Sequence, residues 1–124
     1  MMRVVFAAWF LAHGIAHLPG FLVSWKLWSV PSLPFHTSVL ANTVDVGTVG
    51  IRLVGLGWFF CCIGFIALAI GALLRLSWWH DAAYVILSLS LILCVLGWPQ
   101  SRIGVASNVV VSVLLLASTR YGWV

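Results

Sequence analysis

Apolar residues run along this chain in four blocks, separated by polar or glycine- and proline-containing breaks. A helix needs about 20 mostly apolar residues to cross the hydrocarbon of a bilayer. The blocks predict spanning helices over roughly Val4–Val23, Ile51–Leu74, Ala82–Trp98 and Ile103–Ser118. The last two are short and suffice if they stand nearly perpendicular to the membrane. The pattern predicts an all-α fold, a single integral membrane domain over residues 1–124. It is a four-transmembrane-helix bundle with one long loop between helices 1 and 2.

The breaks support these limits. Asp81 stands where an N-cap carboxylate would start the third helix, with His80 beside it in a solvated helix start. Trp98-Pro99-Gln100-Ser101 is a tight break that only a helix hairpin fits at membrane depth. The connection over roughly Ser24–Gly50 holds Pro31, Pro34, Asn42, Asp45 and Gly47. It is too polar and proline-rich to span, and too apolar for a floppy linker. It is expected on the bundle mouth or in the headgroup layer, anchored by Trp25 and Trp28. Near its end, Asp45 and Arg52 are expected to form an interface ion pair.

Composition sharpens the class. Hydrophobic residues make up 64% of the chain and charged residues 6%, against about 25% charged in a soluble domain. Such a chain cannot cover a water-facing surface. The net charge of +4 rests on six scattered basic residues and two acids. That pattern suits anionic lipid headgroups and not nucleic acid, which calls for clustered basic residues. Met-Met-Arg followed by an apolar run has the look of a signal peptide. His13 and His17 interrupt that run, so the segment is read as a retained first helix. Tryptophans mark two interfaces: Trp25, Trp28 and Trp98 on the loop side, and Trp78, Trp79 and Trp123 with Tyr121 on the side of the termini. Basic residues are tied between the sides, with Arg3, Arg75 and Arg120 against Lys26, Arg52 and Arg102. The N-terminal amine and Asp45 tip the reading toward cytoplasmic termini in an inner (plasma) membrane.

Two groups of residues stand out within the blocks. Gly50, Gly57, Gly64 and Gly71 recur every seven residues along one stripe of the second helix. In lipid, small residues let helix backbones approach, so the stripe reads as a helix-packing seam, within one chain or between chains. Cys61, Cys62 and Cys94 lie in apolar runs without C-x-x-C spacing and read as small packing residues.

The second group is His13 and His17, four apart and hence on one face of the first helix. Ionisable residues at this depth are costly and face the bundle interior. Pro19 cannot donate to the Ile15 carbonyl, so the stretch holds two imidazoles and a freed carbonyl. The histidines can hydrogen-bond to neighbouring helices, with Asn108 and Ser112 as the polar interior and Ser88 and Ser90 as further partners. They can instead ligate a metal, haem or chlorin. Zinc needs three or four ligands, and His36 or Asp45 on the loop side would have to join them. A proton or quinone site is the third reading, because imidazole titrates near neutrality. The chain has no glycine-rich phosphate loop, no nucleophile elbow and no acid pair, which argues against an enzyme.

The motif His13-Gly14-Ile15-Ala16-His17-Leu18-Pro19-Gly20-Phe21 resembles the first helix of a group of small bacterial four-helix membrane proteins that open with His-Gly-x-x-His-x-x-Gly-Phe. The likeness runs on through Gly55-Leu56-Gly57-Trp58, Trp78-Trp79, Gly97-Trp98, Ile103-Gly104 and Asn108. A fainter likeness is to DoxX-like four-helix proteins. The resemblance implies the four-helix fold and singles out the two-histidine motif; it implies no activity. The functional expectation is a non-enzymatic accessory or structural subunit of a larger membrane complex, with lipid and other subunits or copies of itself as partners. Alternatives are a binder of haem or chlorin, quinone, metal or lipid through His13 and His17, and a small transporter component.

Overall fold

A computed structural model describes residues 1–124. Four helices follow one another: α1 (Met2–Ser24), α2 (Gly47–Leu73), α3 (Trp79–Leu96) and α4 (Arg102–Arg120). All four are long and apolar enough to cross a membrane. They are apolar all round, as helices surrounded by lipid must be. Val85, Ile103 and Val113 are among the large apolar side chains left on the outside.

The predicted elements are present, with ends displaced by a few residues. The third helix begins at Trp79, so Asp81 lies in its first turn and caps nothing. A carboxylate there still faces the positive end of the helix dipole. Pro19 sits inside α1 without ending it. Trp79, expected at an interface, is instead buried in the core, in contact with Phe6 and Phe10. The connection between α1 and α2, residues 25–46, folds back on itself. Its strands β1 (Ser38–Val39) and β2 (Val44–Asp45) pair antiparallel. Leu40, Ala41 and Asn42 at the tip all have positive φ. The amides of Leu40 and Ala41 donate to the carbonyls of Leu96 and Trp98, so this strap is tied to the end of α3.

Helices α1, α2 and α4 end alike. The residue after each cap is left-handed: Lys26 at φ 56°, Arg75 at φ 57° and Gly122 at φ 69°. In each, the next amide reaches back to the carbonyl five residues earlier, as with Leu27 to Leu22, Leu76 to Gly71 and Trp123 to Ser118. Glycine is the favoured residue at such a position; only α4 has it.

Neighbouring helices in sequence pack side by side, and α1 with α2 form the most extensive pair. The small residues explain how. A Cβ added at Gly14 would sit 2.8 Å from Phe65 Cβ and 3.1 Å from the Cys62 carbonyl oxygen, so the two backbones nearly touch. Gly20 lies against the Trp58 ring and Gly55 against the Ser24 hydroxyl. The heptad seam is different in kind. Gly57 and Gly64 face side chains of α3, Leu93 and Ile86, and Gly71 faces Trp78 and Trp79. Gly50 is no part of it, because a side chain there would meet Val46 of its own segment.

Met1, Arg3, Arg75 and Trp123 surround one cavity, which puts both termini and the α2–α3 turn at the same end. The strap and the α3–α4 turn are at the other. Between them the interior is layered. Phe6, Phe10, Phe65, Leu68, Trp79 and Leu115 fill the half near the termini. A layer of polar side chains follows, and then a cavity under the strap.

Candidate functional site

The polar layer is built from α1, α3 and α4. His17 is buried, with 2% of its surface exposed, and Ser90 and Asn108 are fully buried. His17 Nδ1 lies 2.8 Å from the His13 carbonyl oxygen. A carbonyl can only accept, so Nδ1 carries the proton and Nε2 of the neutral ring is an acceptor. Ser90 Oγ, 2.7 Å from Nε2, therefore donates to it. The Ser90 oxygen in turn accepts from Asn108 Nδ2 at 3.0 Å, and the same amide donates to the Gly104 carbonyl at 2.9 Å. His13 Nε2 stands 3.4 Å from the Ser90 oxygen. Since the one Ser90 proton is committed to His17, His13 Nε2 is the donor there, and its Nδ1 keeps a lone pair.

His13 is half-buried, and its ring stacks on Trp9 at 4.3 Å between centroids. Trp9 Nε1 donates to Ser107 of α4 at 3.0 Å. Trp9 lies one turn before His13, the same helical spacing that links His13 to His17. That spacing could have revealed it from the sequence. Ser112, expected in the polar interior, is half-buried and takes no part; Ser90 takes that place. The freed Ile15 carbonyl is not used by either histidine; His17 turns to the carbonyl of His13.

Beyond this layer lies a cavity of about 360 Å³. His13 and His17 line its inner end, and Trp58, Val39, Leu96 and Ile103 are among its apolar walls. His36 lines it too, from the strap. The three histidines share the cavity without forming a metal centre: no three His, Cys, Asp or Glu side chains are grouped closely enough to hold an ion. Both nitrogens of His17 are already hydrogen-bonded, so the two-histidine grip expected from the spacing is not available in this arrangement. Neither is the ion pair of Asp45 with Arg52. Asp45 Oδ1 accepts instead from Thr37 Oγ1 and the Gly47 amide, both at 2.9 Å. These bonds hold its carboxyl below the usual carboxylate value, with the Gly47 amide the larger cause. Arg52 lies over the Trp25 ring, 5.4 Å from its centroid. A short carboxylate satisfies itself locally at a helix start, which leaves nothing to draw the arginine over.

All three cysteines are free and buried. Cys94 packs against Gly104 at the α3–α4 contact. No family model matches this chain, and no curated protein and no solved structure matches it.

Proposed function

We propose that this chain is a multi-pass membrane protein that holds a small amphipathic ligand in the cavity under its strap, without carrying out chemistry on it. The observation behind this reading is the pairing of a cavity of about 360 Å³ with two histidines at its inner end. Protein interiors tolerate few voids larger than a water molecule. Mostly apolar cavities of about 300–1,000 Å³ with a few convergent polar groups are typical ligand sites. The apolar walls suit a ring or acyl body. At the inner end, His17 has no nitrogen to spare, whereas His13 Nδ1 offers a lone pair. The ligand's polar end is therefore a hydrogen-bond donor, as in a quinol or a hydroxylated lipid. A metal gripped by both histidines fits less well, because ligation by His17 would have to break its bond to Ser90.

Binding of a short-chain benzoquinol to the purified protein tests this, followed by quenching of tryptophan emission, since Trp58 lines the cavity. Saturable quenching is expected. In His13→Phe the ring stacked on Trp9 is kept and the lone pair lost, so binding should weaken on the order of tenfold, the worth of one hydrogen bond to a buried partner. Lack of saturable quenching in the parent protein, by the quinol or by a hydroxylated lipid, would reject the reading.

A further inference from the structure

A second cavity, of about 280 Å³, lies at the opposite end of the molecule. It is lined by the first turn of α1, the end of α2 and the residues after α4. Two arginines line it, Arg3 and Arg75, together with Trp123. The chain has only two acidic side chains, Asp45 and Asp81. Neither lines this cavity, whose wall also includes Met1 and Val124. Arg3 Nε is sealed from solvent and has no hydrogen-bond acceptor. A buried donor without a partner is costly, and more so on a charged group.

Arg75 ends its helix as Lys26 ends α1. It occupies the left-handed position that closes α2, where glycine is favoured and a side chain is strained. Arg75 lines the same cavity as Arg3. Both arginines lie at the end of an apolar bundle, at the depth of lipid headgroups if the helices cross a membrane.

We infer that Arg3 and Arg75 together form a site for a phosphate-bearing headgroup. Guanidinium groups bind phosphate oxygens through two parallel N–H bonds, and a turn of the Arg3 side chain toward the phosphate would also bring its sealed Nε to an acceptor. The apolar rim, with Leu73 and Val4, suits the glycerol and upper acyl region of the same molecule. The source of the phosphate can be a phospholipid or a free anion, and one experiment separates them.

The protein is purified in a zwitterionic detergent and its melting temperature is followed against added short-chain phosphatidylglycerol, short-chain phosphatidylcholine or inorganic phosphate. Phosphatidylglycerol is expected to raise the melting temperature of the parent saturably. Arg3→Gln and Arg75→Gln should each weaken that response on the order of tenfold or more, the loss of charge-assisted bonds. Arg120→Gln, a basic residue that does not line the cavity, should leave it unchanged. Arg75→Gly guards against a folding artefact. It relieves the left-handed strain, so it should melt higher than the parent without lipid and yet lose the response. An equal response to inorganic phosphate supports the site and assigns it to the free anion; a response to the lipids alone assigns it to a headgroup. No response to any of them, or a response that survives Arg3→Gln combined with Arg75→Gly, overturns the inference.

Discussion

His17 Nδ1 donates to the carbonyl oxygen of His13, one turn back on the same helix. This single contact fixes the direction of the histidine bonds that meet at Ser90. It orients Ser90 toward His17, leaves the Ser90 oxygen to Asn108, and turns His13 into the histidine with something left to offer. The assignment can be read from the ¹⁵N shifts of the two rings in labelled protein. His17 should show a protonated Nδ1, and His13 a protonated Nε2. The reverse pattern in His13 would remove its lone pair from the cavity.

Ser90 is the hinge of this layer, so Ser90→Ala should be costly for so small a change. It strands His17 Nε2 and one Asn108 N–H inside the bundle. The expected loss is about 1–3 kcal/mol of stability, the penalty for a buried polar group left unpaired. Ser112→Ala, at a half-buried side chain that takes no part in the polar layer, should cost much less. Unfolding in mixed micelles measures both, and equal effects would contradict the network.

Gly14 and Gly64 offer a contrast in what a methyl group meets. At Gly14 it would press on Phe65 Cβ and on the backbone of α2, which cannot yield without moving the helix. At Gly64 it would meet the end of the Ile86 side chain, which can turn aside. Gly14→Ala should therefore destabilise by about 1–3 kcal/mol, as overpacking does, and Gly64→Ala by clearly less. Thermal melts of the two variants decide it, and a larger loss at Gly64 would run against the packing described.

Asp45 gives the strap a pH dependence. Its carboxylate is favoured in the folded state by the Gly47 amide and the Thr37 hydroxyl, so its folded value lies below its unfolded one. The stabilisation is therefore complete above the ordinary Asp range, about 4, and is lost as pH falls through the lower folded value. The protection factor of the Gly47 amide, its exchange relative to a free peptide at the same pH, should fall on acidification in the parent. In Asp45→Asn it should be lower already near neutrality and change little with acid.

Helix number and the placement of both termini at one end lead to a topology test. Reporters fused to the two ends should give the same side, and a reporter in the strap the opposite one. Opposite signals from the termini would exclude four crossings.

Much of the fold could be read directly from the residues, because a bilayer leaves few options: an apolar run near 20 residues must be a helix. The inward face of His17 was legible for the same reason, since imidazole is expensive in hydrocarbon. What was not legible depends on rotation and local competition. Ser90 and Ser112 look equivalent in composition, yet only one is turned toward α1. Gly57 and Gly64 were visible as a stripe, but not that they accommodate side chains while Gly14 accommodates a backbone. Asp45 and Arg52 have opposite charge and are near in sequence, and two local donors outcompeted the arginine. The cavity itself could not be anticipated, because one of its walls is the strap, whose left-handed tip Leu40–Asn42 contains no glycine to announce it.

The strap has a consequence for how the two halves of the chain recognise each other. Its amides at Leu40 and Ala41 engage carbonyls at Leu96 and Trp98, which a helix end otherwise leaves without partners. The first hairpin thus carries a latch and the second its catch, and the only covalent link between them is the short turn after Leu73. Severed at Ser77 and produced as two polypeptides, the halves hold complementary surfaces and matching backbone contacts. They are expected to reassemble in one membrane, with neither fragment accumulating stably alone.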